Sequence, residues 1–83
     1  MDTIHYNSKL LWLFPRRVDA FVLGQHIFVR GRSISQRLLR HERAHVEQYA
    51  RYGVTGFLVR YIWYQLKYGY TDNPLEKEAR RAE

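Results

Sequence analysis

Residues 41 to 45 read His41-Glu42-Arg43-Ala44-His45, and nothing else in the 83 residues restricts the fold so tightly. Two histidines four positions apart share one face of a helix and sit about 6 Å apart along its axis, so both imidazoles can reach one ion. The stretch has to be helical for the pair to meet. Glu42 lies about 100° further round, beside such an ion rather than on it, where a carboxylate can take a proton from water. The donor set suits zinc, which takes imidazole nitrogen and carboxylate oxygen in a four-coordinate shell.

The flanking residues support that helix. In Ser33-Ile34-Ser35-Gln36, Ser33 as N-cap with Gln36 three residues later makes a capping box, which starts the helix at Ile34. Its inward stripe runs Ile34, Leu38, His41, His45, Gln48 or Tyr49, and Tyr52, with Val46 and Ala50 alongside, and Gly53 ends it. Both histidines lie on this apolar stripe, so the competing reading is a pair of hydrogen-bonded core histidines.

A second helix is expected from Thr55 or Gly56 to about Lys67. Phe57, Leu58, Tyr61, Ile62, Trp63, Tyr64 and Leu66 make it apolar on most of its circumference. The expectation is a core partner for the first helix; the competing reading is a helix lying on a membrane surface. Tyr68 to Asp72 reads as a loop, after which Asn73 caps a last helix with Pro74 at its first position.

On that last helix Glu76 and Glu78 stand about 200° apart, so only one can face the ion. Leu75, Ala79 and Ala82 mark its buried side, with Glu78 about 70° and Glu76 about 90° from the centre, a slight preference for Glu78. Asn73 and Glu76 also stand at capping-box spacing, which gives Glu76 a structural role to fall back on.

Before the motif, Val18, Phe21-Val22-Leu23 and Ile27-Phe28-Val29 form two β-favouring runs split by Gly24-Gln25, a hairpin from Val18 to Arg30. Leu10 to Phe14 reads as a short buried segment that turns at Pro15. It is too short for a signal core or a membrane span and follows no basic leader, so a cytoplasmic protein is expected. His5 is read as an exposed residue, and His26, near the hairpin turn, is a minor candidate for a pocket.

At 83 residues the chain is expected to be a single domain, 1–83, with a modest core. Cysteine is absent, so a bound metal is the staple the sequence offers. The net charge of +6 invites a polyanion partner, but the arginines form no run longer than a pair and no nucleic-acid motif occurs. A solvated basic surface is the expectation.

With His41-Glu42-Arg43-Ala44-His45, then Gln48, then Asn73-Pro74-Leu75-Glu76-Lys77-Glu78-Ala79, the chain from about Val18 to Ala82 resembles the smallest gluzincin metallopeptidases, the minigluzincins. The resemblance implies an α+β, zincin-like fold: a short β-hairpin on the motif helix, an aromatic packing helix and a short C-terminal glutamate helix. It implies His41, His45 and Glu76 as zinc ligands, since Glu76 to Ala79 fits the E-x-x-A pattern of that group. It also implies Glu42 as general base and acid in peptide hydrolysis, a strand beside the metal that pairs with a peptide or protein substrate, and Tyr68 or Tyr70 as an oxyanion donor; the competing reading of the strand is a hairpin that only covers the helix. Arg80 stands where many relatives carry Asp, which leaves open what carboxylate orients a zinc histidine. Two other functions remain: a non-catalytic binding or inhibitory protein that keeps a zinc site, and a basic amphipathic protein acting on membranes or nucleic acid.

Overall fold

The hairpin forms around Gly24. It takes φ +62° at the first of the two turn residues between Leu23 and His26, a backbone conformation that costs glycine little. The turn joins β2 (Ala20–Leu23) to β3 (His26–Val29) in antiparallel register. The computed structural model describes residues 3–14 and 18–83, and within them the hairpin gains a third strand, β1 (Thr3–His5). β1 pairs parallel to β3 on its far side, giving the strand order β1-β3-β2.

Alternation then divides the sheet into two faces. Ile27 and Val29 are buried against Leu39, with Ile4, Ala20, Val22, Ile34 and Val46 around them, and this is the core beneath the helix. The opposite face carries an aromatic row. Phe28 stacks between His5 and Phe21 at 4.8 Å each, and Phe14 lies 4.9 Å from Phe21. His5 is therefore not a free surface residue: its Nε2 lies 3.1 Å from Nδ1 of His26.

Between β1 and β2 the chain makes a 3₁₀ turn, Lys9–Leu13, capped by Ser8. Only Leu11 of the apolar run is buried; Leu10, Trp12, Leu13 and Phe14 are exposed, contrary to the expected buried segment. A turn of three residues per repeat can aim only about one residue in three at the core. The expected turn at Pro15 lies outside the described residues. Arg30 holds the loop by donating to the carbonyls of Val18 (3.0 Å), Leu11 (2.9 Å) and Phe14 (3.4 Å).

Helix α1 spans Gln36–Asp72 and is broken at Gly53 (φ 75°, ψ 167°) and Gly69 (φ 80°, ψ 176°). Both glycines sit in a region essentially closed to other residues. The cap is Ser35, whose Oγ accepts from the Leu38 N–H at 3.1 Å, and not Ser33. Starting two residues later leaves Ile34 outside the helix, where it packs on the sheet. The third helical residue is then Leu38, so no capping box forms.

Two further expectations for α1 are corrected. Leu39 and Ala44 are buried while Ala50 is exposed, because the first arm is covered on two sides, by the sheet and by the later helices. Tyr68 to Asp72 is not a loop, since helix resumes after Gly69 and runs to Asp72. Asn73 then caps α2 (Pro74–Arg81), accepting from the Leu75 N–H at 2.9 Å, with Pro74 at its first turn as expected. Ala82 is exposed, contrary to its assignment to the buried side. The fold is thus a small α+β unit with a three-stranded mixed sheet on a long broken helix and a short helix after it.

The second arm packs by one side only. Phe57 stacks on Tyr49 at 3.9 Å, Tyr61 stacks on Phe57 at 5.6 Å, and Leu75 of α2 completes this second core with Tyr64. Its other side is open: Val59, Ile62, Trp63 and Leu66 are exposed, so this helix is only half the core partner expected.

Candidate metal centre

His41 and His45 point the same way from the first arm, ring centroids 5.1 Å apart, and α2 brings Glu76 to meet them. Glu76 Oε1 lies 3.0 Å from Nε2 of His41 and 3.0 Å from Nε2 of His45. All three side chains are buried. Glu78 points elsewhere, to Gln48 Nε2 at 2.9 Å and to Arg51. Glu76 therefore does not close the cap of α2, where the Asn73 side chain works alone.

The outer nitrogens of the two imidazoles fix their proton positions. His41 Nδ1 faces Glu83 Oε2 at 2.6 Å, and a carboxylate oxygen there accepts. His45 Nδ1 faces Gln48 Oε1 at 2.9 Å. The Gln48 amide cannot be turned round, because its nitrogen donates to the Leu75 carbonyl at 3.0 Å and to Glu78. Both Nδ1 atoms thus carry hydrogen, and in the neutral rings both Nε2 lone pairs face Glu76 Oε1. Three acceptors converge with no donor among them, an arrangement that calls for a cation in their midst.

His41, His45 and Glu76 could hold a metal ion, their ligand atoms all lying within 4.8 Å of one another. Two imidazoles and one carboxylate, each oriented by an outer hydrogen bond, fit zinc with a position left open. The second Glu76 oxygen, Oε2, accepts from the Tyr61 hydroxyl at 2.5 Å, which leaves Oε1 for the centre. The carboxylate that orients His41 is that of Glu83, which Arg37 also binds at 2.6 Å; Arg80 donates to the Thr71 carbonyl.

Without a metal, protons do the bridging. The hydrogen bond to Glu76 raises the pKa of His41 above its ordinary value, and Glu83 adds to this. Burial pulls His45 down, but contact with Glu76 outweighs it and the net shift is upward. Burial likewise opposes ionisation of Glu76, yet the two imidazoles hold it well below the usual carboxylate range. The Tyr61 hydroxyl, buried and bonded to Glu76, is driven far above the normal phenol range.

Glu42 is buried and stands outside the three-atom cluster, in the wall of the same cleft. Burial raises its pKa, which makes its carboxylate a better base. The cleft has a volume of about 940 Å³. On one side is the free edge of β2, and on the other Tyr49, Phe57, Leu58 and Tyr61, with Tyr70 and Glu76 also in the lining.

Arg30 N–H donates to the Asp19 carbonyl, so residues 19, 21 and 23 turn their backbone groups toward β3. Those of Ala20 and Val22 then face outward. The Val22 carbonyl takes the Tyr49 hydroxyl at 3.0 Å, whose pKa burial pushes up to about 12.

Of the two tyrosines singled out in the sequence, Tyr70 lines the cleft and Tyr68 does not. His26 and His5 lie on the far face of the sheet, away from it. Three residues that build the centre went unassigned: Tyr61, Glu83 and, as the orienter of His45, Gln48. Gln48 had the best signal, a polar side chain one helical turn after His45 on the buried stripe.

In comparisons with family models, curated proteins and solved structures nothing matches the chain, so the geometry of the site carries the functional argument.

Proposed function

We propose that this chain is a zinc-dependent peptidase. The observation that carries the reading is the meeting of His41 Nε2, His45 Nε2 and Glu76 Oε1 at 3.0 Å, with buried Glu42 beside them in an open cleft. His41, His45 and Glu76 would hold the ion, which when bound would polarise a peptide carbonyl and acidify water. Glu42 takes the proton from the attacking water at its carboxylate and delivers it to the leaving amide nitrogen. An extended peptide lies along β2, where the outward groups of Ala20 and the Val22 N–H are available to a further strand. Tyr70, across the cleft, is the remaining candidate for a hydroxyl donor to the developing oxyanion. The cleft volume falls within the range of small-ligand and substrate sites, which supports turnover over a purely structural ion.

The test combines metal content with turnover of an unfolded protein such as casein. One zinc per chain is expected, with a melting temperature that falls on chelation and recovers on adding zinc. Glu42→Gln should keep the zinc and lose about two to four orders of magnitude in rate. A Glu42→Gln protein that sheds its zinc gives that residue a different role. Zinc binding with no hydrolysis by the parent favours the non-catalytic binding or inhibitory protein.

A further inference from the structure

The second arm of α1 displays an apolar stripe that the fold leaves open. Val59, Ile62, Trp63 and Leu66 fall at helical spacing within about 100° of arc, opposite the packed side of Phe57, Tyr61 and Tyr64. They are between 58% and 80% exposed, too contiguous and too apolar to be scattered surface residues. Arg60 and Lys67 flank the stripe along one side, about 80–100° from Val59. No acidic residue occurs from position 48 to position 71. Trp63 gives the stripe an indole, a side chain at home at the boundary between acyl chains and headgroups.

We propose that this stripe docks on an anionic lipid surface, with the helix lying in the interface plane and Arg60 and Lys67 meeting the headgroups. Charge decides between occupants. A second copy related by two-fold symmetry would bring identical cationic flanks together, with no acidic residue between positions 48 and 71 to receive them. An anionic bilayer neutralises these cations and the net charge of +6, and takes up the four apolar side chains. The mode is peripheral, because no helix among the described residues is long and apolar enough to cross a membrane.

The experiment uses the full chain with two kinds of vesicle, phosphatidylcholine alone and phosphatidylcholine with roughly one third phosphatidylglycerol. Co-sedimentation should be at least about tenfold stronger with the anionic vesicles and should weaken as salt rises. Trp12→Phe leaves Trp63 as the sole indole, since the chain has two tryptophans. Its emission should shift to the blue on anionic vesicles and be quenched by brominated acyl chains. Leu66→Gln, at the most exposed stripe position, should melt like the parent and bind about tenfold more weakly.

Three results overturn the proposal: no preference for anionic vesicles, binding unaffected by Leu66→Gln, or Trp63 emission unchanged while the protein sediments with lipid. A lipid-free dimer that Leu66→Gln dissociates would instead make a second copy the occupant.

Discussion

Replacing Gln48 with leucine deletes one fully buried amide and three hydrogen bonds at nearly constant volume, so the effect is one of polarity and not of packing. His45 Nδ1 loses its partner, and a buried polar nitrogen without one costs about 1–3 kcal/mol in either tautomer. The bonds to the Leu75 carbonyl and to Glu78 add at most about 0.5–1.5 kcal/mol each, the second discounted because Glu78 is partly exposed. The sum is about 2–5 kcal/mol, against roughly 4–12 kcal/mol for a whole domain of this length. Zinc-free protein should therefore melt at least about 8 °C lower, read by circular dichroism.

Metal affinity changes by a separate route. With Gln48 gone, the His45 proton can move to Nε2, where it bonds Glu76 and occupies the lone pair that zinc needs. Affinity should fall about 10–100-fold under a competing chelator. Gln48→Glu keeps an acceptor for Nδ1 while losing the donor to Leu75, so it should lose stability yet hold zinc more tightly than the leucine variant. A leucine variant that melts and binds zinc like the parent would refute the argument.

Two further outcomes are expected. Glu76→Gln should weaken zinc binding severely, whereas Glu78→Gln, altering a side chain that only braces Gln48 and Arg51, should leave it nearly unchanged; chelator competition on both variants decides the third ligand. The stability of the zinc-free protein should depend on pH in both directions. His41 and His45 have raised folded pKa values, so their contribution is complete below about 6.5 and fades as pH climbs through the folded values. Glu76 is lowered, so its contribution is present above about 4.5 and fades as pH falls toward its folded value. Urea titrations should place the maximum between those limits, with zinc restoring stability on the alkaline side. A zinc-free protein that strengthens steadily from pH 6 to 8 contradicts the proton-bridged centre.

The elements with strong local signals were legible in the sequence. The hairpin turns at Gly24, Asn73-Pro74 opens α2, and His41 and His45 share one helix face because each depends on residues within a few positions. What escaped depends on distant partners. β1 is three residues with a single aliphatic side chain, Ile4, and becomes a strand only because β3 offers an edge. Glu83 reaches His41 across 42 positions, a pairing that no periodicity encodes. Helical angles favoured Glu78 over Glu76 by about 20°, less than the uncertainty in where a helix begins. Tyr61 looked like one more apolar residue until Glu76 arrived against its hydroxyl.

An unbroken helix of the 37 residues in α1 would be about 55 Å long, yet the longest dimension of the molecule is 33 Å. The difference comes from the turns of the path at Gly53 and Gly69, where the backbone lies outside the helical region. Without them Phe57 and Tyr61 would continue away from His45 along a straight rod, and the cleft would lose one of its walls. Neither glycine has any atom within 4 Å of where a β-carbon would sit, so space does not demand glycine at either position; the backbone torsion does. A chain of this size thus encloses a site by folding a single helix back on itself, and a change at Gly53, which touches no ligand, would reach the metal through the direction of everything that follows.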